Sequence, residues 1–216
     1  IGTLPLTDLA PLAVMLPVLG AAVTFMLVRR PRAQITVTVS ALVLTLVLDA
    51  LLLAAVWDTG VAAVHLGGWP APLGISLVVD RLSALMLVVS ALITLAVLLY
   101  ASAQGLINRD EGGPVSIFHP TFLILVAGVS NAFLAGDLFN LYVGFEILLT
   151  SSYVLLTMGG TAQRIRAGIT YVVVSVLSSV VFLIAIAMIY AATGTVNMAD
   201  LAVKLGELPT LSLIHI

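Results

Sequence analysis

Apolar runs of about 20 residues recur six times along this chain, and no other feature limits its folding so tightly. As an α-helix, a run of that length spans the roughly 30 Å hydrocarbon core of a bilayer. None of the runs alternates with period two, which argues against barrel strands. Composition points the same way. Hydrophobic residues make up 62% of the chain, charged residues 8%, and the mean hydropathy is +1.25. A soluble domain carries roughly 25% charged residues, so there is too little polar surface here to cover a water-facing globule. Lipid removes that need but requires every backbone polar group to be satisfied within helices or a closed barrel. The expected fold is therefore all-α: a polytopic membrane protein with about six transmembrane helices.

The runs place helices at about 9–28, 33–56, 81–103, 118–135, 138–158 and 167–192. Arg29, Arg30, Pro31 and Arg32 end the first. That run is long and its arginines follow rather than precede it, so it reads as a retained helix and not a signal peptide. A Gly/Pro-rich link at 57–79 holds Trp57 and Trp69, which suit the headgroup level. A polar loop carries Asn108, Arg109, Asp110, Glu111, Gly112 and Gly113. Gly159 and Gly160 stop the fifth helix, and a short amphipathic stretch at 197–205 is expected at the interface. With these spans, one side of the membrane collects Arg29, Arg30, Arg32, Arg109, Arg164 and Arg166, six of the eight basic residues. The other collects Asp8, Asp58, Asp80, Asp137, Asp200 and Glu207, with Arg81 and Lys204. The positive-inside rule then puts the N-terminus outside the cytoplasm. A net charge of −2 gives no basic surface for nucleic acid. The absence of cysteine excludes disulfides and thiolate metal sites.

Two acids lie inside apolar helices, Asp49 and Glu146. An ionised carboxylate at mid-bilayer costs roughly 3 kcal/mol on insertion scales, so such a group is protonated, paired or facing water. Tyr142, Glu146, Thr150, Tyr153 and Thr157 fall within about 80° of one another at 100° per residue, which makes one hydroxyl face around a carboxyl. Tyr171, Ser175, Ser178 and Ser179 form a similar face on the sixth helix, within about 100°. Hydroxyls both donate and accept hydrogen bonds, so two such faces suit a proton relay. The plainer alternative for each hydroxyl is a bond to a carbonyl of its own helix. For Glu146 the alternative is a protonated link between helices. Asp49 is eight residues from Trp57 and is expected to reach toward the outer interface. Asp80 and Arg81 are expected to form an interface ion pair and helix cap. His65 and His119 show no ligand spacing. No phosphate loop, metal motif or nucleophile constellation is present, which leaves an enzyme of the soluble type without support and implies no cofactor.

The run Gly136-Asp-Leu-Phe-Asn-Leu-Tyr-Val-Gly-Phe-Glu146, continuing to Tyr153, resembles the fifth helix of the antiporter-like proton-conducting membrane subunits. Leu66-Gly-Gly-Trp-Pro-Ala-Pro72, Asp80-Arg-Leu-Ser-Ala-Leu-Met86, His119-Pro120, Arg166-Ala-Gly-Ile-Thr-Tyr171 and Thr193-Gly-Thr-Val-Asn-Met-Ala-Asp200 extend the likeness to about Leu205. The Trp-Pro-Ala-Pro and Asn-Met-Ala-Asp runs make it similar to the D subunit of the bacterial Mrp multisubunit cation/proton antiporters. The resemblance implies about fourteen helices in two inverted repeats, with a core carboxylate on helix five paired to a lysine on helix seven. Glu146 matches the carboxylate. The lysine is expected beyond this chain, since Lys204 lies in the interfacial stretch. The chain is accordingly expected to be the N-terminal part of a longer protein, native over 1–210. Leu211-Ser-Leu-Ile-His-Ile216 reads as a non-native tail that resembles a translated transposase adapter.

The implied function is a subunit of a Na⁺/H⁺ antiporter in the bacterial plasma membrane, with other antiporter subunits, protons, Na⁺ or another monovalent cation, and lipid as partners. Desolvation favours a neutral carboxyl and a nearby ammonium favours a charged one. Movement of the lysine would thus switch Glu146 between taking up and releasing a proton. Two other readings stay open: a proton-pumping subunit of respiratory complex I or a membrane-bound hydrogenase, and a non-conducting structural subunit.

Overall fold

The computed structural model describes residues 6–69, 72, 74–104 and 117–207. The loop at 108–113 and the tail at 211–216 lie outside the described residues. The helices are α1 (Ala10–Met26), α2 (Pro31–Thr59), α3 (Arg81–Ala103), α4 (Phe118–Leu134), α5 (Leu138–Thr157), α6 (Ala162–Thr193) and α7 (Met198–Glu207). A hairpin of β1 (Ala62–His65) and β2 (Ser76–Val79) joins α2 to α3. With a 3-10 turn at Leu6–Leu9 leading into α1, five helices are long and apolar enough to cross a membrane, and α4 is a shorter apolar helix of 17 residues. The chain is a multi-pass membrane protein.

Two helices are longer than their apolar cores suggested. Pro31 does not only end α1. It opens α2, where its missing N–H is no loss and its fixed φ suits a helix start. α2 then runs past Val56 to Thr59 and stops at Gly60, whose φ of 81° breaks the helical path. α6 starts at Ala162 rather than 167 because Thr161 caps it, its Oγ1 accepting from the Arg164 N–H at 3.3 Å. Apolar counting finds where a helix meets lipid. Capping and backbone geometry decide where it ends. The stretch expected to be a simple link also pairs as strands, with Ala62 opposite Val79 and His65 opposite Ser76. Strands of four residues are too short for alternation to show, and in β2 Ser76, Leu77 and Val79 are all buried.

The α4–α5 connection is a tight extended joint. Ala135 bridges Leu77, Asp137 bridges Asn197, and the Gly136 N–H donates to the Ser76 carbonyl at 2.8 Å. The Leu138 N–H donates to Val196 O at 2.9 Å and the Met198 N–H to Gly136 O at 3.0 Å. Non-helical backbone at this position is tolerated because these bonds replace the helical ones. Gly136 has to be glycine, since a Cβ there would lie 2.7 Å from Val78 Cγ2 and 2.9 Å from Ser76 O.

Small residues set the helix crossings. A Cβ on Gly128 would meet Leu148 N at 3.0 Å and Gly144 O at 3.1 Å, so α4 and α5 touch backbone to backbone. Gly20 plays the same part between α1 and α2, where a Cβ would lie 2.9 Å from the Ala41 Cβ. One apolar cluster joins Ala10, Ala13, Leu52, Val79, Leu87 and Leu134, and a second joins Ala21, Leu42, Leu98 and Leu123. α6 rests mainly on α5 and presents Val173, Leu177, Val180 and Ile184 outward. Among described residues, the alternating helices gather Arg29, Arg30, Arg32, Arg164 and Arg166 at one end, opposite the hairpin and the α4–α5 joint.

Candidate functional site

α5 divides its surface between two neighbours. Asn140, Gly144 and Ser151 are buried, and Asn131 of α4 donates through Nδ2 to Asn140 O at 3.1 Å and to its Oδ1 at 3.2 Å. Asp137 caps the helix, its Oδ1 accepting from the Asn140 N–H at 2.7 Å. Glu146 stands two residues past Gly144, about 200° around the helix. It therefore faces α6. There Ser179 Oγ donates to Glu146 Oε1 and lies 3.1 Å from Tyr142 Oη. Phe182 packs edge-on against both Tyr142 and Phe145, with centroids at 5.9 and 6.3 Å, so aromatic rings flank the hydroxyls.

A serine hydroxyl has one proton to give. When Glu146 is ionised, Ser179 donates to it and Tyr142 donates to Ser179. When Glu146 is protonated, the direction reverses: the acid donates to Ser179 and Ser179 to Tyr142. The three groups form a short hydrogen-bonded chain whose polarity follows the charge on Glu146.

The other expected lining residues are arranged differently. Ser178 is exposed and donates to Val174 O at 2.9 Å, bonding its own helix. Ser179, 100° further round, is the residue that meets the carboxyl; both fell within the arc read from the sequence, and the helix–helix register chooses between them. Thr157 donates to Tyr153 O at 2.7 Å and its side chain presses on Gly168. With Glu146 against Ser179 and Thr157 against Gly168, the antiparallel register puts Ser175 at the level of Thr150 and Tyr171 beside Tyr153. No hydrogen bond links these four among the described residues, and Thr150 is exposed.

Asp49 corrects an expectation. It does not reach the interface. It is 1% exposed, and neither carboxyl oxygen has a hydrogen-bond partner among the described residues. Its position on the inner face of α2, among Leu48, Leu52 and Val56, turns it into the bundle. Asp80 caps α3, with Oδ1 accepting from the Ser83 N–H at 2.6 Å and Ser83 Oγ accepting from the Asp80 N–H at 2.9 Å. The expected ion pair with Arg81 is not formed. Arg81 donates to Trp57 O at 3.1 Å and lies 5.3 Å from the Trp57 ring centroid. The extra helical turn at 57–59 brings that tryptophan within reach. His119 is buried against Thr38, with Nδ1 3.1 Å from Oγ1. Only the pairing of α2 with α4 reveals this contact, since the residues are 81 positions apart. No group of three or more metal-ligating side chains occurs among the described residues.

Residues 135–214, which include the α4–α5 joint and both helices of the Glu146 site, match the family described as NADH:quinone oxidoreductase/Mrp antiporter, TM. The chain is 35% identical over 211 residues to the D subunit of the Na(+)/H(+) antiporter of Alkalihalophilus pseudofirmus, covering 98% of this chain and 42% of that one. Among solved structures it is similar to the Mrp complex from Dietzia sp. DQ12-45-1b, with a TM-score of 0.82, 32% identity, and 91% of this chain and 36% of that chain covered. It is also similar to the membrane-bound sulfane sulfur reductase, an archaeal respiratory membrane complex, with a TM-score of 0.86, 27% identity, and 95% and 42% covered. Spanning about two fifths of the length of these relatives, the chain belongs to the antiporter-like membrane subunits of the NADH:quinone oxidoreductase/Mrp antiporter family.

Proposed function

We propose that this chain is part of a subunit of a multisubunit monovalent cation/proton antiporter, with Na⁺ as the cation, in a bacterial plasma membrane. In this reading protons pass through Glu146. The observation that carries it is the contact of Glu146 with Ser179 and Tyr142 between two apolar helices. A carboxyl at that place is expensive to keep, and its hydroxyl partners allow a proton to arrive or leave without a bare charge facing lipid. The names of the relatives supply the cation and the complex. The lysine that the family resemblance implies would complete the switch from a further helix. The arginine-rich end of the bundle would face the cytoplasm.

In the assembled complex, Glu146→Gln should abolish cation-dependent proton movement in everted membrane vesicles and leave assembly on a native gel unchanged. Antiport at the wild-type rate in that variant would exclude the assigned role and favour a non-conducting structural subunit. A redox-driven proton pump is the second reading, favoured by the likeness to a respiratory membrane complex. Co-purification distinguishes them: small antiporter subunits in one case, iron–sulfur and quinone-reactive subunits in the other.

A further inference from the structure

We infer that Asp49 is a second proton-binding site within the membrane, separate from Glu146 and reached along a buried polar ridge of α2. Gln34, Thr38, Thr45 and Asp49 fall within about 60° of one another on that helix and extend along roughly 22 Å of it. Each is 0–1% exposed. An apolar helix packed on apolar neighbours has no structural need for four buried polar side chains in one row.

The ridge is bonded up to its last member. Gln34 Nε2 donates to Thr24 O at 2.9 Å, tying α2 to the end of α1. Thr38 Oγ1 donates to Gln34 O at 2.8 Å and so accepts from His119 Nδ1 at 3.1 Å. That fixes the His119 proton on Nδ1 and leaves Nε2 able to accept one. Thr45 donates to Ala41 O at 2.9 Å. Asp49 alone in the row has no partner among the described residues. Its neighbours in sequence, Leu48 and Leu52, pack in one cluster with Ala10 and Ala13 of α1. One turn further along α1, Pro17 has no N–H to give the Ala13 carbonyl, so α1 offers a spare acceptor there.

No charge offsets a carboxylate at this place. α1 carries no titratable residue. Asp8, in the turn before it, is exposed, as is Asp58 on α2 itself. On α3, Arg81 is engaged with Trp57, and Tyr100 is exposed near the far end. On α4, His119 sits against Thr38, eleven residues along α2 from Asp49. The carboxyl is held as the neutral acid, and it can give up its proton only when a base or a cation arrives by the ridge or by the break in α1.

Infrared difference spectroscopy of the assembled complex in lipid, between acidic and alkaline pH, tests this without reference to transport. A carboxylic-acid carbonyl band should be present at low pH and fade as pH rises. Asp49→Asn should remove it and Asp49→Glu should shift it. Antiport should fall at least tenfold in D49N and recover in part in D49E. A set of titrating bands unchanged by either substitution overturns the inference, as does D49N with the wild-type rate and pH profile. If D49N does not assemble, the band shift in D49E decides: a shifted, titrating band supports the site and an unshifted one overturns it. Glu146→Gln in parallel keeps the two readings distinct, since an E146Q complex that still transports refutes the Glu146 path and leaves the Asp49 band to be read by itself.

Discussion

At the scale of residues, the sequence run around Glu146 separates into two kinds of position. Gly136, Asp137, Asn140 and Gly144 have structural explanations: close approach, capping and a link between helices. Glu146 and Tyr142 face the other way, toward Ser179. Removing the hydroxyl with Ser179→Ala withdraws a hydrogen bond to a charged group, an effect of about 1.5–3 kcal/mol. Proton transport should therefore slow by at least roughly tenfold in vesicles of the assembled complex. Ser178→Ala, one position away, should transport normally, because Ser178 bonds its own helix and is exposed. Equal loss in both variants would mean that the contact between α5 and α6 has been misassigned.

Among the elements, the α4–α5 crossing and the helix ends set the geometry that the site depends on. Gly128→Val places new atoms about 3 Å from α5 backbone that cannot move aside. Overpacking of that kind costs about 1–3 kcal/mol and should lower the melting midpoint in detergent. Gly206→Ala on α7 meets nothing within 4 Å and should be neutral or stabilising by up to about 1 kcal/mol. Asp80→Ala removes the α3 cap and should cost about 1 kcal/mol. On α7, the hydrogen bond from Lys204 is the main cause holding the Asp200 carboxyl below its usual 3.8, with the pair at 3.0 Å. A depressed acid contributes stability above its unfolded value and loses it as pH falls through the folded one. Carboxyl NMR should show Asp200 titrating at higher pH after Lys204→Met, while a value that stays put would mean the pair does not persist in solution.

At the scale of the molecule, α6 lies along one side of the bundle with most of its length exposed to the surroundings. The described residues bring no cation to Glu146, and the chain spans about two fifths of its relatives' length. Reconstituted by itself in liposomes, this 216-residue chain should pass no protons above the level of empty liposomes. Flux that depends on Glu146 would show that the pair of helices suffices.

Hydropathy alone determined that the chain crosses the membrane repeatedly, because the energy of placing a residue in lipid depends on that residue and its near neighbours in sequence. It also singled out Asp49 and Glu146, since a charge in an apolar run stands out without any knowledge of packing. Helical period gathered the hydroxyls of α5 and α6 onto faces, yet it could not choose Ser179 over Ser178. That choice rests on how two helices sit against each other, which involves pairs of residues far apart in the chain. The same holds for the contact of Thr38 with His119, for the strand pairing that closes the α4–α5 joint, and for the burial of Asp49. Local sequence settles the cost of each side chain in the membrane, and only the tertiary structure decides what each one meets there.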